Sequence, residues 1–169
     1  MIIYIPTWGQ GVPVKTFDNV SRQNGITEII EAAHFEKFER GDMRRYQAIG
    51  KAREKIFSMI IYNYDEFFGM QNDNIIHRDN DNYMQMYNFL KKNPKWAGVS
   101  MTHRKTKNIE PNHPVIDCCV FRSAVMLNFK FDVPFGSCEC KPLIKKIRAM
   151  DWKFGYFKTG TQTIIKERR

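Results

Sequence analysis

Short apolar runs alternate with helix-period segments through the first hundred residues, and this alternation restricts the possible fold more than any other feature. Ile2-Ile3-Tyr4-Ile5 is a β-rich run halted by Pro6, which predicts a strand over 1–6. Residues 14–24 predict a helix that ends at Asn24-Gly25. Residues 26–33 predict a second strand centred on Ile29-Ile30. Over 43–60, Ile49, Ala52, Ile56 and Met59 or Ile60 recur at helical spacing. Lys51, Arg53, Glu54 and Lys55 fill the other face, and Asp42 is placed to cap the helix. A strand over 65–70, a helix over 80–92 and a strand over 96–101 follow. The order β-α-β-α-β-α-β predicts an α/β fold: a largely parallel sheet covered by helices on both faces.

Beyond Met101, the polar stretch 102–113 predicts a loop closed by Pro114. Residues 115–121 predict a strand leading into a short helix from Arg122. A late helix is expected over 139–150, with Leu143, Ile144, Ile147 and Met150 inward and its lysines outward, then a strand over 152–157. No repeat, low-complexity tract or linker interrupts the chain.

Ligands of such sheets bind at the carboxyl ends of the strands. Three polar clusters fall there: Thr7-Trp8-Gly9, His34 and Gln71-Asn72-Asp73.

Composition narrows the class. A chain of 169 residues suits one domain with a real core, and 43% hydrophobic with 14% aromatic residues excludes a disordered chain. No apolar run approaches the roughly 20 residues needed to span a bilayer, and the opening residues read as a strand instead of a signal peptide, so a cytoplasmic location is expected. Cys118, Cys119, Cys138 and Cys140 form no CxxC pair and lack zinc-finger spacing, so they read as buried free thiols.

The formal charge is +9, concentrated at one end. Residues 141–169 hold nine Lys or Arg against Asp151 and Glu167, a net +7. Such a surface attracts nucleotides, nucleic acid or acidic lipid; it is equally the signature of a solvated basic face.

Each polar cluster has a chemical and a structural reading. Asp73, leaving a buried strand, is placed to hold Mg2+ or Mn2+ against a diphosphate, since these ions take one or two carboxylates plus phosphate oxygens. Asn and Asp also favour plain turns. Lys51 and Arg53 on the preceding helix could meet the same phosphates, Arg through paired donors, or form an exposed helix face. Trp8 could stack on a base or sugar, or pack at the core's edge. Gly9-Gln10-Gly11 is no dinucleotide loop, because Val14 stands where a third glycine belongs. Glu139, opening the late helix, is a candidate general base or a stabiliser of the first turn.

Together these clusters resemble glycosyltransferase family 2 over nearly the whole chain, which implies its GT-A fold: a Rossmann-type, mostly parallel sheet flanked by helices, with a short antiparallel acceptor-side extension. That family opens with a strand ending in proline, a small residue and an aromatic, here Pro6-Thr7-Trp8. Its second strand resembles Glu28-Ile29-Ile30-Glu31-Ala32-Ala33-His34, and its next helical signature resembles Ala52-Arg53-Glu54. Its metal-binding D-x-D resembles Gln71-Asn72-Asp73. Its late E-D at a helix start resembles Glu139-Cys140, and the strand after it resembles Asp151-Trp152-Lys153-Phe154-Gly155-Tyr156.

The resemblance implies one domain over 1–169, with 1–101 holding a nucleotide sugar and 102–169 facing the acceptor. It implies sugar transfer to a hydroxyl by inversion, assisted by a divalent metal at Asp73. Pro6, Thr7, Trp8, His34, Lys51, Arg53, Gln71, Asn72 and Asp73 would serve the donor. Glu139, or else Asp117, would take the acceptor proton. The basic 141–169 segment would face an anionic acceptor, nucleic acid being one candidate, and a small chain of this kind fits a phage or bacterial setting. Three positions depart from the pattern: Gln71 replaces the first Asp of D-x-D, Ala33 or His34 falls where an Asp reads the base, and Cys140 takes the place of the catalytic Asp. These departures leave open a degenerate relative that only binds nucleotide or nucleic acid.

Overall fold

Side chains alternate across the central strands and furnish two separate apolar layers. In the computed structural model, which describes residues 1–7, 11–33, 42, 44–60, 65–101, 115–157 and 164–166, Phe68 and Met70 face one layer while Phe67 faces the other. Cys119 and Phe121 divide from Cys118 and Val120 in the same way.

The elements run β1 (Ile2–Thr7), α1 (Val14–Ser21), β2 (Glu28–Ala33), α2 (Arg44–Met59), β3 (Phe67–Gln71), β4 (Ile75–His77), α3 (Asn82–Lys92), β5 (Trp96–Ser100), β6 (Cys118–Arg122), α4 (Ser123–Met126), α5 (Cys140–Ala149), β7 (Lys153–Tyr156) and β8 (Ile164–Lys166). Six strands form one sheet in the order β2-β1-β3-β6-β5-β7. Only β6 runs against the others. Strands β4 and β8 pair as a separate antiparallel ribbon. The fold is therefore α/β, GT-A-like, with a mixed, mostly parallel sheet between helices. The 102–113 stretch expected to be a loop lies outside the described residues.

Helices α2 and α5 cover one face through Ile56, Phe57, Leu143, Ile144 and Ile147. Helices α1 and α3 cover the other through Val20, Tyr83, Met86 and Leu90. Each such side chain contributes about 2 kcal/mol through burial. Asp42 caps α2, its Oδ1 accepting the Arg44 backbone N–H at 2.9 Å.

A glycine shapes the first layer. Gly98 on β5 lies opposite Phe121 on one side and Phe154 on the other. Those two rings stack with centroids 5.4 Å apart, and Phe121 stacks on Phe68 at 5.6 Å. A Cβ at Gly98 would sit 2.6 Å from the Phe121 ring and 2.8 Å from the Val120 carbonyl oxygen. The carbonyl belongs to the β5–β6 ladder and cannot retreat. Gly98→Ala is therefore expected to cost about 1–3 kcal/mol, as overpacking does, read as a lower urea midpoint with an unchanged slope.

Candidate functional site

Because β1, β2, β3, β5 and β7 share a direction, their carboxyl ends form one edge of the sheet. Thr7, Gln71 and Ser100 end strands there, and Cys118 begins the antiparallel β6 at the same edge. Helix α5 starts there also, since it descends to feed β7.

The turn after β3 is held from three sides. The Ile75 N–H donates to Asn72 O at 3.1 Å, closing the turn, and the Asn72 N–H donates to Asp117 O at 2.8 Å. Thr16 on α1 donates its hydroxyl to Asp73 O at 2.6 Å. The turn's backbone is thus positioned by α1 and by the lead-in to β6 before any ligand is present.

A chain of charged and polar groups runs inward from this turn. Lys166 Nζ meets Asp117 Oδ1 and Oδ2 at 3.1 and 3.0 Å. Asn72 Nδ2 donates to Asp117 Oδ1 at 2.6 Å. Arg53 Nη2 donates to Asn72 Oδ1 at 3.1 Å and to Ile116 O at 3.3 Å. Arg53 Nη1 donates to Glu139 Oε1 at 2.6 Å. Arg53 is fully buried and Glu139 is 7% exposed. Burial alone would push the Arg53 guanidinium down, but the neighbouring Glu139 carboxylate outweighs this, with Cys140, Cys119 and Asp117 adding to it, so its pKa stands above the ordinary value. Among the described residues, Glu139 Oε2 and Arg53 Nε have no hydrogen-bond partner.

These contacts decide between several sequence readings. Arg53 presents no face to solvent, so here it clamps Glu139 and Asn72 and does not grip a phosphate. Lys51 is exposed on α2. Glu139 precedes α5 without capping it, since its side chain accepts no N–H of the first turn. Its carboxylate turns inward to Arg53. Asp117 is committed to Asn72 and Lys166 and is poorly placed to act as a base. Cys140, in the position of the family's catalytic Asp, is buried; a hydrogen bond with Cys138, burial and the Glu139 charge all push its thiol up. It is no base at neutral pH. Cys118 and Cys119 are buried thiols, Cys119 pushed up to about 12 chiefly by burial.

Gln71 also turns away from the edge. Its Oε1 accepts from Tyr83 Oη and His77 Nε2, each at 2.7 Å, and its Nε2 donates to Ile75 O at 3.2 Å. Pro6 and Thr7 are buried at the end of β1, where the Thr7 hydroxyl donates to Glu31. Trp8 and His34 lie outside the described residues.

Of the two carboxylates in a D-x-D pattern only Asp73 is present, on a half-buried turn. No group of three or more His, Cys, Asp or Glu converges among the described residues. That donor set suits a cation completed by substrate phosphates and water, as Mg2+ and Mn2+ commonly are, more than a preformed protein cage.

Sequence reasoning missed Lys166 and the Gln71–His77–Tyr83 cluster. The signal for the first was its membership of the basic 141–169 segment, which does not single it out from the other eight cations there.

The sequence matches no protein-family profile and no curated protein. Solved structures do match in shape. A mannosyltransferase from Pyrobaculum calidifontis, in complex with GDP-Man and Mn2+, superposes with a TM-score of 0.64 at 11% identity over 98% of this chain. This chain spans 56% of that enzyme's length. A197 from STIV superposes with a TM-score of 0.60 at 10% identity, over 99% of this chain and 94% of that one. A glycosyltransferase involved in glycosylation of the major capsid of PBCV-1 gives 0.57 at 11% identity, over 98% and 92%. No helix among the described residues is long and apolar enough to cross a membrane. Over nearly its whole length, the chain carries the GT-A-like fold shared with glycosyltransferases of known structure.

Proposed function

We propose that this protein is a glycosyltransferase that moves a sugar from a nucleotide-sugar donor to an acceptor hydroxyl with inversion. One observation carries the reading: Glu139, a buried carboxylate with one oxygen unpartnered among the described residues, is bonded through Arg53 to the turn that bears Asp73, at the carboxyl edge of a GT-A-like sheet.

In this reading residues 1–101 hold the donor and 102–169 face the acceptor. The ends of β1 and β2 serve the base and ribose, with Pro6, Thr7, Trp8 and His34 as the candidate residues, and Asn72 and Asp73 receive the diphosphate, with Lys51 a further candidate cation. Asp73 would be the protein's ligand to Mg2+ or Mn2+, which when bound offsets charge on the leaving diphosphate. The acceptor oxygen forms its bond to the anomeric carbon as the bond to the diphosphate breaks. Glu139 Oε2 takes the acceptor proton, while Arg53 holds Oε1 and fixes the plane of the carboxylate. Exposed Lys141, Lys145, Lys146, Arg148 and Lys153 favour an anionic acceptor, nucleic acid included.

Gln71 and Cys140 favour a second reading, a relative that binds nucleotide without turning it over, since each stands where the family pattern has a carboxylate. The two share one first experiment, a thermal-shift series with UDP, GDP, CDP and dTDP and their sugars, with and without Mn2+. Ligand at about 100 times its Kd adds roughly 2.7 kcal/mol, or about 5–10 °C for a chain this size. A metal-dependent shift with one nucleotide, lost in Asp73→Ala, is expected. Sugar transfer to an acceptor then separates enzyme from binder. Silence towards every nucleotide, beside salt-sensitive DNA binding, would overturn both in favour of a nucleic-acid-binding protein.

A further inference from the structure

We propose that Lys166 is the cation that contacts the donor's diphosphate, brought to the Asn72–Asp73 turn by the last strand; this rests on the transferase reading above. Strand β8 places Lys166 opposite Ile75, the residue that closes the turn. Its ammonium lies on Asp117, and Asp117 is bonded to Asn72 by both backbone and side chain. The lysine therefore reaches Asn72, the neighbour of Asp73, through one intervening residue, Asp117.

Three features make this a ligand-facing charge and not only the partner of Asp117. The Lys166 side chain is 36% exposed whereas that of Asp117 is 7% exposed, so the ion pair has a buried and an open end, and the open end is the cation. An ammonium has three donors, and the described contacts of this one all go to a single carboxylate. Asp117 also accepts from Asn72, so its charge does not go to Lys166 alone. Finally, the turn has one carboxylate where a D-x-D turn has two, with Gln71 neutral and buried. A cation beside such a turn makes it a better host for a diphosphate's own negative charge, so part of the affinity should survive without a metal.

The experiment measures binding of a nucleoside diphosphate and the matching monophosphate by titration calorimetry, in EDTA and in Mn2+, to the full chain. Lys166→Gln is expected to weaken the diphosphate about tenfold or more in EDTA, as loss of a charge-assisted contact does, and the monophosphate less. Lys166→Arg should stay within a few fold of wild type. Asp117→Asn combined with Lys166→Gln removes both charges of the pair, so a purely structural lysine predicts recovery of binding and the proposal predicts none. Thermal unfolding checks that each variant is folded. Recovery in the double variant, or equal losses for mono- and diphosphate, would overturn the role of Lys166 and leave the transferase reading standing. Failure of wild type to bind any nucleoside diphosphate would overturn that reading and this inference with it.

Discussion

Arg53→Ala is expected to destabilise the protein by about 3–5 kcal/mol, which lowers the thermal midpoint by roughly 10 °C or more. The guanidinium is fully buried and is the hub joining Glu139, Asn72 and the Ile116 carbonyl. Removing it strands the Glu139 carboxylate in a low-dielectric interior and leaves Asn72 Oδ1 and Ile116 O without this donor. The cost comes from the orphaned groups more than from the pair's own strength, because a buried ion pair loses much of its Coulomb gain to desolvation. Two further variants test this. Arg53→Met with Glu139→Leu, which removes both charges of the buried pair, should recover most of the loss. Arg53→Lys should fall between, since one ammonium cannot reproduce a planar fork spread over three acceptors. Urea unfolding measures all three. A loss below about 1 kcal/mol for Arg53→Ala would mean that the clamp does not hold the structure together, and with it would go the idea that Glu139 is presented by Arg53.

The burial of Arg53 was legible in its register and hidden by its residue type. It lies four residues after Ile49 and four before Phe57, on the stripe that α2 turns to the sheet. A cation at such a position is ordinarily assigned to the solvent face, and only the partner carboxylate of Glu139, just before α5 and 86 residues away, makes its burial tolerable. No local pattern reports so distant a partner. The longer elements, by contrast, were visible to within about three residues at either end, because their apolar spacing is a property of the segment itself. Two aspects of the sheet were not. The antiparallel insertion of β6 between β3 and β5 is a choice of partner, and nothing within Cys118–Arg122 specifies the neighbour. The short antiparallel extension implied by the resemblance is present as β4 and β8, but with three residues each they are too short for alternation to give their place in the sequence. The candidate site suffers most from this second gap, because Lys166 arrives on β8 and Gln71 is drawn inward by His77 on β4. The sequence pattern placed Thr7 and Gln71-Asn72 at the carboxyl ends of their strands; which polar groups there face outward and which face each other is a matter of tertiary pairing.

His77 sets the second large expectation, a loss of stability in mild acid. Its ring is buried, and burial pushes its pKa down to about 3. With Nε2–H donating to Gln71 Oε1, Nδ1 is left to accept from Asn82 Nδ2 at 3.0 Å, so the native site holds the neutral ring. A proton on Nδ1 would oppose the Asn82 amide donor and place a charge where the ring is cut off from water. In the unfolded chain the same ring titrates near 6.5. Between those two values the unfolded state binds a proton that the native state refuses. The contribution of His77 is therefore fully present above about pH 6.5 and is lost as pH falls towards 3. The slope is about 1.4 kcal/mol per pH unit and the full span is on the order of 4–5 kcal/mol. His77→Gln, which keeps a donor and an acceptor without a titrating ring, isolates the effect from the carboxylates that also weaken in acid. Wild type should lose stability faster than the variant between pH 6.5 and 4, by roughly one kcal/mol per unit, in urea titrations at matched ionic strength. The imidazole resonances of His77 should stay in the neutral position across that range while the protein is folded. Parallel pH slopes for the two proteins, or a native His77 ring titrating near 6, would mean that the ring is not held neutral between Gln71 and Asn82. Gln71 would then lack one of the contacts that turn it away from the ligand edge.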